Sequence, residues 1–290
     1  MDRRRARALA RASHSTLVDL HLHTTASDGR LTPGQLVDRA VRAGVTVMAV
    51  TDHDTTMAVS EVRGLAVERG VEAISGIEVT AVERGRDIHI LGYFADPNDE
   101  VLGRFLALQR ERRIARVRAI AERLAELGVP VDVRPLLAEA GRQTGRAIGR
   151  PQVARAMVEA GHVGDISEAF DRWLTHDAPA FIPREGASCE EVIAILHRAG
   201  ALASLAHPGK TSIDESISSL RDVGLDALEV YHSDHDAELV ARYARRAREL
   251  GMLMTGGSDY HGDPSHGREP GAVALPFDEW HRLRAARPNA

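Results

Sequence analysis

The sequence has little cysteine and few aromatic residues, and each shortage excludes a class of protein. Cys189 is the one cysteine among 290 residues, so no disulfide can form within the chain; this suits a reducing compartment and predicts a cytoplasmic protein. No apolar run reaches the ~18–20 residues of a membrane span. Aromatic residues make up only 4% of the chain, which argues against stacking platforms for long single-stranded nucleic acid. The net charge of −5 likewise argues against a protein that coats DNA.

Lysine is also scarce, because Lys210 is its only occurrence against a large number of arginines. This bias is typical of codon usage, so the positions of the arginines carry more information than their number. Residues 1–16 contain five arginines and lack the apolar core of a secretory signal, and we expect a disordered basic tail there. The remainder has the composition of an ordinary soluble globular protein, with one large domain or a domain carrying an insertion.

Short β-rich runs alternate with helical patterns through most of the chain. Thr32 and Pro33 provide start signals for one helix, and Ser188 with Glu191 stand at the spacing of a capping box at the start of another. The alternation predicts an α/β architecture with parallel strands. We expect strands at 17–22, 45–50, 72–79, 87–94, 201–206, 226–231, 252–256 and 271–275.

Residues 98–178 interrupt this alternation. One long helical pattern, residues 99–128, is followed by shorter helical pieces and no convincing strand. We therefore predict a helical domain at 98–178 that serves as a substrate-binding cap. It is inserted into a discontinuous α/β catalytic domain formed by residues 17–97 and 179–285.

Histidines and acidic residues gather at the ends of the predicted strands. In the segment VDLHLHTTASDG, a period of two turns His21 and His23 to the same side of a strand, and Asp28 follows in the next turn. These three side chains could hold a metal ion, although two exposed histidines at a strand end would give the same pattern. Gathered at strand C-termini, such residues suit a barrel with its site on one face. The others at such positions are Asp52, His53, Asp54, Glu78, His89, His207, Asp259 and His261.

Six segments, DLHLHTTASDG, AVTDHDT, GIEVT, IHILGY, LAHPG and GGSDYHG, together resemble the motifs of the PHP family of polymerase and histidinol phosphatase metallo-phosphoesterases. The resemblance implies a distorted (β/α)₇ barrel with two or three divalent metal ions at the C-terminal ends of the strands. It implies three ligand sets, two of which share Glu78 as a bridge: His21, His23, Glu78 and Asp259; Asp28, His53 and His261; and Glu78, His89 and His207.

The chemistry of such a centre explains these residue types. Mixed imidazole and carboxylate ligands favour manganese, with iron or zinc as alternatives, over calcium. Three divalent ions outweigh three carboxylates, so the centre is cationic and favours a phosphate dianion as substrate. A water bound between the ions would lose its proton near neutral pH and attack phosphorus, so no serine or cysteine nucleophile is assigned.

Arginines around the predicted site indicate where a second phosphate could bind. Arginine holds phosphate through paired hydrogen bonds, and Arg150 precedes Pro151 at a predicted helix start, where backbone N–H groups also attract anions. Ordinary solvent-facing helix charges would produce the same pattern. The other candidate substrate contacts are Arg155, Arg184 and Lys210.

The segments GRPQVAR, FIPREG, LAHPGK, VYHSDHD and GGSDYHG resemble one PHP subgroup, the nucleoside 3′,5′-bisphosphate phosphatases, some of which trim short 5′-phosphorylated RNAs from the 5′ end. The resemblance implies removal of the 3′-phosphate while insertion arginines hold the 5′-phosphate. His232 could protonate the leaving oxygen, or merely hydrogen-bond beside the site. Gln152 departs from the subgroup, which usually has histidine there.

Two other functions fit the same motifs. A PHP enzyme could act on histidinol phosphate or on a nucleoside monophosphate, and some PHP modules are non-catalytic accessory domains. The complete set of ligand positions argues against the accessory module. We expect a small nucleotide or a short RNA 5′ end as the partner, and no membrane, DNA or protein partner.

Overall fold

The computed structural model describes residues 16–142, 147–211, 213–262 and 268–288. These residues form a mixed α/β fold around one seven-stranded sheet with the strand order β1 to β7. The backbone N–H of His23, just after β1, donates to the carbonyl of Tyr260, just after β7, at 3.0 Å, so the sheet is a nearly closed barrel. The predicted basic tail lies outside the described residues, apart from residue 16. The strands are β1 (Val18–Leu22), β2 (Val47–Val50), β3 (Glu72–Glu83), β4 (Arg86–Tyr93), β5 (Leu202–Leu205), β6 (Ala227–His232) and β7 (Leu253–Gly257).

The helices fill the connections between the strands, and their starts follow the capping signals of the sequence. The Thr32 hydroxyl accepts from the N–H of Gln35, and Ser188 and Glu191 form the predicted capping box. One π-helical turn, Phe170–Leu174, follows the short helix Ile166–Ala169. The helices are α1 (Pro33–Arg42), α2 (Val59–Glu68), α3 (Glu100–Glu126), α4 (Arg134–Arg142), α5 (Arg150–Glu159), α6 (Ile166–Ala169), α7 (Cys189–Arg198), α8 (Pro208–Thr211), α9 (Ile217–Asp222), α10 (Ala237–Glu249) and α11 (Phe277–Ala285).

The expectation that all strands run parallel is wrong for β4. This strand is antiparallel to both β3 and β5, and Glu83 pairs with Arg86 across a two-residue turn. Arg84 and Gly85 both have positive φ, as the tightest hairpin turns require. The physical reason is length, because a parallel crossover needs about a dozen residues or more and this connection has two.

The predicted strand at 271–275 is also wrong, since these residues belong to none of the described strands. Gly271 has a φ of 75° and donates its N–H to the Asp19 carboxylate at 2.7 Å. Leu275 donates one backbone hydrogen bond to Val18 and is buried beside Trp280. Burial against the end of the barrel therefore explains the apolar pattern, which cannot by itself distinguish a strand from a buried loop.

The barrel has a packed apolar interior. Alternate residues of the strands turn inward, among them Leu20 of β1, Ala49 of β2 and Leu91 of β4, and Trp280 of α11 packs against the same cluster. Separate apolar clusters lie between the strands and the surrounding helices. The barrel is therefore a packed core rather than an open channel.

The helical segment between β4 and β5 has a hydrophobic core of its own. Val117, Ile120 and Leu124 of α3 pack against Val153 and Met157 of α5. The long helix α3 covers most of the predicted 99–128 pattern, while the domain boundaries 98–178 stay a prediction. Within the described residues, every helix is too short or too polar to cross a bilayer.

Candidate metal centre

The nine side chains that the family motifs single out come together at one end of the barrel. They form overlapping groups, in each of which the potential ligand atoms lie within 4.8 Å of one another. Which of these ligands would hold which ion stays a prediction, because the groups share members. One group also includes His232, which is not among the nine ligands that the family resemblance implies. The four groups are His23, Asp28, His53 and His261; His21, His232 and Asp259; His21, Glu78 and His207; and His53, Glu78 and His89.

Glu78, from β3, lies at the middle of the cluster and is 1% exposed. Its Oε1 is 2.7 Å from His89 Nδ1 on the neighbouring strand β4. Its other ring-nitrogen neighbours lie at 3.1–3.2 Å: His21, His23, His53 and His207. One carboxylate is thus shared by five imidazoles, an arrangement suited to bridging metal ions.

Several ring nitrogens in this cluster are buried without a hydrogen-bond partner. Both nitrogens of His23 and the Nδ1 atoms of His53 and His89 make no hydrogen bond, although carboxylate oxygens lie near them. His23 Nε2, for example, is 3.2 Å from Glu78 Oε2 and 3.3 Å from Asp259 Oδ1. Ligand atoms that share one ion at ~2.1 Å lie about 3.0–3.4 Å apart and do not bond to each other. The donor set therefore fits a multi-metal site.

Burial and neighbouring charges shift the pKa values of the clustered histidines in different directions. Burial lowers the pKa of His53 to about 3 and that of His207 to about 4, so both rings are neutral at pH 7 and offer lone pairs to a metal. Burial acts the same way on His23, but the carboxylates of Asp259 and Glu78 outweigh it and raise its pKa to about 10. Metal binding at His23 would therefore release a proton.

Glu229 is a functional residue that the sequence reasoning missed. Its Oε1 accepts from His21 Nδ1 at 2.8 Å, and its Oε2 accepts from the backbone N–H of His207 at 2.8 Å. With the proton held on Nδ1, the lone pair of His21 Nε2 faces the cluster, as a metal ligand requires. The available signal was an acidic residue within the otherwise largely apolar run ALEVYH, which forms β6.

Three residues at the cluster adopt left-handed backbone conformations that non-glycine residues rarely take. Asp54, His207 and Asp259 have φ angles of 51°, 29° and 53°. The carbonyl of Asp259 accepts from His261 Nδ1 at 2.9 Å, which leaves His261 Nε2 3.2 Å from Asp28 Oδ1. Strained backbone of this kind is typical of functional sites.

A cavity adjoins the cluster, and arginines form part of its lining. It holds about 530 Å³ of space free of atoms, part of it open to solvent. Asp28, His53 and His89 line it on the side of the cluster. The cavity is also lined by four arginines, Arg113, Arg116, Arg150 and Arg184.

Two acidic residues hold these arginines. Asp54 Oδ2 accepts from Arg113 Nε and, at 2.7 Å, from Arg184 Nη2. Burial would raise the pKa of Asp54, but the two guanidiniums hold it well below its ordinary value. Asp87 pairs in the same way with Arg116 at 2.9 Å and with Arg150 at 3.0 Å. Burial would raise the pKa of Asp87, but these two guanidiniums lower it to about 2. Four positive charges thus face two carboxylates, leaving an excess suited to an anion.

The remaining predicted contacts lie elsewhere. Arg155 is not among the residues that line the cavity; its Nη2 donates to the carbonyl of Asp28 at 2.7 Å. Lys210 Nζ lies 2.6 Å from Asp234 and 3.3 Å from Asp259. Both residues therefore stand beside predicted ligands, outside the arginine-lined cavity.

Arg113 and Arg116 were missed by the sequence reasoning although a signal was present. Arginines spaced by three residues lie on one face of a helix, and both belong to the segment RERRIARVR of α3. Arginines occur on several faces of this segment, however. Only the packing of α3 against β3 and β4 shows which of them face the cavity.

Comparisons with known proteins agree with this geometry. A family model described as the PHP domain matches residues 19–174. The 5′-3′ exoribonuclease Rnm of Salmonella typhimurium is 35% identical over 261 residues, which cover 88% of either protein. The 3′,5′-nucleoside bisphosphate phosphatase of Chromobacterium violaceum is 30% identical over 259 residues, 88% of this chain and 90% of that protein.

Two further relatives carry other descriptions. A phosphoribosyl 1,2-cyclic phosphate 1,2-diphosphodiesterase of Eggerthella lenta is 33% identical over 87% of this chain and 96% of its own. A crystal structure from Bifidobacterium adolescentis, assigned by prediction as a metal-dependent phosphoesterase, superposes with a TM-score of 0.84 at 32% identity over 93% of this chain and 96% of that one. The chain belongs to the PHP family, and it is a metal-dependent phosphoesterase.

Proposed function

We propose that this enzyme removes the 3′-phosphate from nucleoside 3′,5′-bisphosphates. The observation that carries the proposal is the cavity that joins the metal centre to four arginines, because a substrate with two phosphates could place one at each side. The named activity of the Chromobacterium violaceum relative supports the same substrate class.

The nine clustered side chains would hold two or three divalent ions, and we propose Mn²⁺, with Fe²⁺ or Zn²⁺ as alternatives. When bound, such ions would neutralise charge on the phosphoryl oxygens and make the attacking water more acidic. The arginines act on the other phosphate: Arg150 and Arg184 both line the cavity and would bind and orient the 5′-phosphate. Correct orientation of the 3′-ester would follow from this second anchor.

His232 is our candidate for the group that protonates the leaving oxygen. Its Nδ1 accepts from the backbone N–H of Asp234 at 3.0 Å, so the proton of the neutral ring lies on Nε2. That atom faces the cluster, 3.3 Å from Asp259 Oδ2. In this tautomer Nε2–H can donate a hydrogen bond to the leaving oxygen, whereas a ligand role would need the Nε2 lone pair. Transfer of the proton itself requires the imidazolium form, protonated on both nitrogens, so that loss of the Nε2 proton leaves a neutral ring.

A second candidate activity is 5′-3′ trimming of short 5′-phosphorylated RNAs. The exoribonuclease relative favours it, and the cavity is open to solvent on one side, so a nucleotide held there could continue into a longer chain. The helical segment at 98–178 would act as the substrate-binding cap in both reactions. A cytoplasmic location, which the single buried cysteine suits, belongs to the same proposal.

The proposal is tested by the products and relative rates of phosphate release with Mn²⁺ present. Adenosine 3′,5′-bisphosphate should be hydrolysed fastest and should yield the 5′-monophosphate and inorganic phosphate. Histidinol phosphate, nucleoside monophosphates and phosphoribosyl 1,2-cyclic phosphate serve as competing substrates. Fastest hydrolysis of any of these, or the 3′-monophosphate as product, would contradict the proposal.

A further inference from the structure

Three consecutive carbonyl groups of the loop after β1 accept hydrogen bonds from the helical segment. The N–H of Ala147 donates to Ala26 at 3.0 Å, Gln152 Nε2 donates to Ser27 at 3.0 Å, and Arg155 Nη2 donates to Asp28 at 2.7 Å. We call these three contacts the carbonyl clamp. Two of the donors belong to α5, the helix that begins with the cavity residue Arg150.

An acid at the end of the neighbouring strand β2 also holds this loop. Asp52, after β2, accepts from the N–H and hydroxyl of Thr24 at 2.7 and 2.6 Å and from the hydroxyl of Ser27 at 2.7 Å. These bonds reach residues 24–27, whereas the backbone bond described for Asp28 comes from the clamp. The Asp28 carboxylate lies 3.2 Å from His261 Nε2. The carbonyl clamp thus contacts the backbone of Asp28, the acidic residue of this loop that belongs to the metal cluster.

Gln152 uses both ends of its amide in this arrangement. Its Oε1 accepts from the N–H of Gly149 at 2.8 Å, closing the first turn of α5, while its Nε2 reaches Ser27. The side chain is 4% exposed and is not among those lining the cavity. Because one end must accept and the other must donate, a carboxylate or an apolar side chain would leave the Ser27 carbonyl unpaired.

We propose that Gln152 is a positioning residue for the metal centre, which ties helix α5 to the loop that carries Asp28. The inference rests on the proposed assignment of Asp28 as a metal ligand and adds that the helical segment, beyond contacting substrate, helps to form one metal position. Loss of a group that orients a ligand typically weakens metal affinity 10- to 100-fold. Without the Gln152 bond the carbonyl clamp would keep its two other contacts, so we expect the Mn²⁺ affinity to fall only about tenfold, and at one ion only.

The test is a calorimetric titration of metal-free protein with Mn²⁺, which needs no turnover. Gln152→Met preserves side-chain volume and removes the donor. The matched control is Gln109→Met, because Gln109 of α3 is also buried and also donates one amide bond, to the carbonyl of Thr80 at 3.0 Å. Gln152→Met should weaken one binding step about tenfold and leave the others unchanged, whereas Gln109→Met should bind like the wild type.

Arg155→Met provides a second variant on the same loop and should weaken the same binding step. Unchanged Mn²⁺ binding in both clamp variants would overturn the inference, as would an equal loss in Gln109→Met, since that would indicate general destabilisation. A wild-type protein that binds no Mn²⁺ would instead contradict the proposed metal centre. The two failures are therefore distinguishable.

Discussion

His21 and Glu229, 208 positions apart in the sequence, are joined by a buried hydrogen bond of 2.8 Å between Nδ1 and Oε1. The bond fixes the ring so that Nε2 points at the metal cluster, and the other oxygen of Glu229 holds the backbone of His207. One acid outside the nine predicted ligands thus orients two of them. Its effect on metal binding can be measured directly.

Replacement of Glu229 by glutamine should weaken Mn²⁺ binding. The amide keeps one acceptor oxygen but turns an N–H₂ group toward either His21 or the N–H of His207, so one of the two bonds is lost. We expect a 10- to 100-fold loss of Mn²⁺ affinity in calorimetric titration, with kcat/KM falling in parallel at limiting Mn²⁺. Glu238→Gln, on the exposed face of α10, is the control. Unchanged affinity in Glu229→Gln would show that this bond does not orient the ligands.

Asp54→Asn should lower the free energy of unfolding. Asp54 is fully buried between Arg113 and Arg184, and asparagine keeps its shape but leaves two guanidiniums without a counter-charge. Removal of one partner from a buried ion pair typically costs about 3–5 kcal/mol. Urea unfolding measures the change. A loss no greater than that of Asp132→Asn, in an exposed pair with Arg134, would contradict this explanation.

Asp87 should contribute stability that depends on pH. Burial would raise its pKa, but Arg116 and Arg150 lower it to about 2, against 3.8 for the unfolded chain. Because the folded-state pKa is depressed, the stabilisation is complete above pH ~4 and is lost as the pH falls toward 2. The difference in unfolding free energy between wild type and Asp87→Asn should therefore be constant from pH 7 to 5, roughly 2 kcal/mol, and should shrink below pH 4. A difference that grows on acidification would have the wrong sign.

Mn²⁺ should raise the melting temperature of metal-free protein. An ion that binds only the folded state at 100 times its dissociation constant adds about 2.7 kcal/mol to the free energy of unfolding. Differential scanning calorimetry should show a rise of several degrees for the wild type and a smaller one for Glu78→Gln, which alters the carboxylate shared by five histidines. Equal shifts in the two proteins would place the bound ion elsewhere.

Local patterns in the sequence predicted much of the barrel and none of its unusual strand direction. Strands β1 to β7 lie where short apolar runs predicted them, because strand burial leaves a direct record in hydrophobicity. The antiparallel course of β4 depends on a two-residue turn at Arg84 and Gly85, a signal that strand alternation does not contain. For residues 271–275 the apolar pattern predicted a strand that is absent from the described structure, because the pattern reflects burial of Leu275 against the end of the barrel.

The residues of the site likewise fall into those that the sequence could predict and those that it could not. Residues such as His21 and Asp259 stand in contiguous motifs, and the structure brings all nine of that set together. Glu229 and Arg113 act through contacts with residues distant in sequence, so their roles depend on how strands and helices pack. Gln152 illustrates the difference: within the segment GRPQVAR it stood out only as a departure from the subgroup's usual histidine, whereas packing shows its amide bound to the Ser27 carbonyl.

The most direct test of the account compares adenosine 3′,5′-bisphosphate with adenosine 3′-monophosphate as substrates of wild type and Arg150→Ala. The two substrates differ only in the 5′-phosphate that the arginines are proposed to hold. Arg150→Ala should lower kcat/KM for the bisphosphate about 10- to 100-fold and leave the value for the monophosphate almost unchanged. Arg118→Ala, on the exposed face of α3, should change neither. An equal loss on both substrates in Arg150→Ala would contradict the proposal that one cavity holds two phosphates at separate ends.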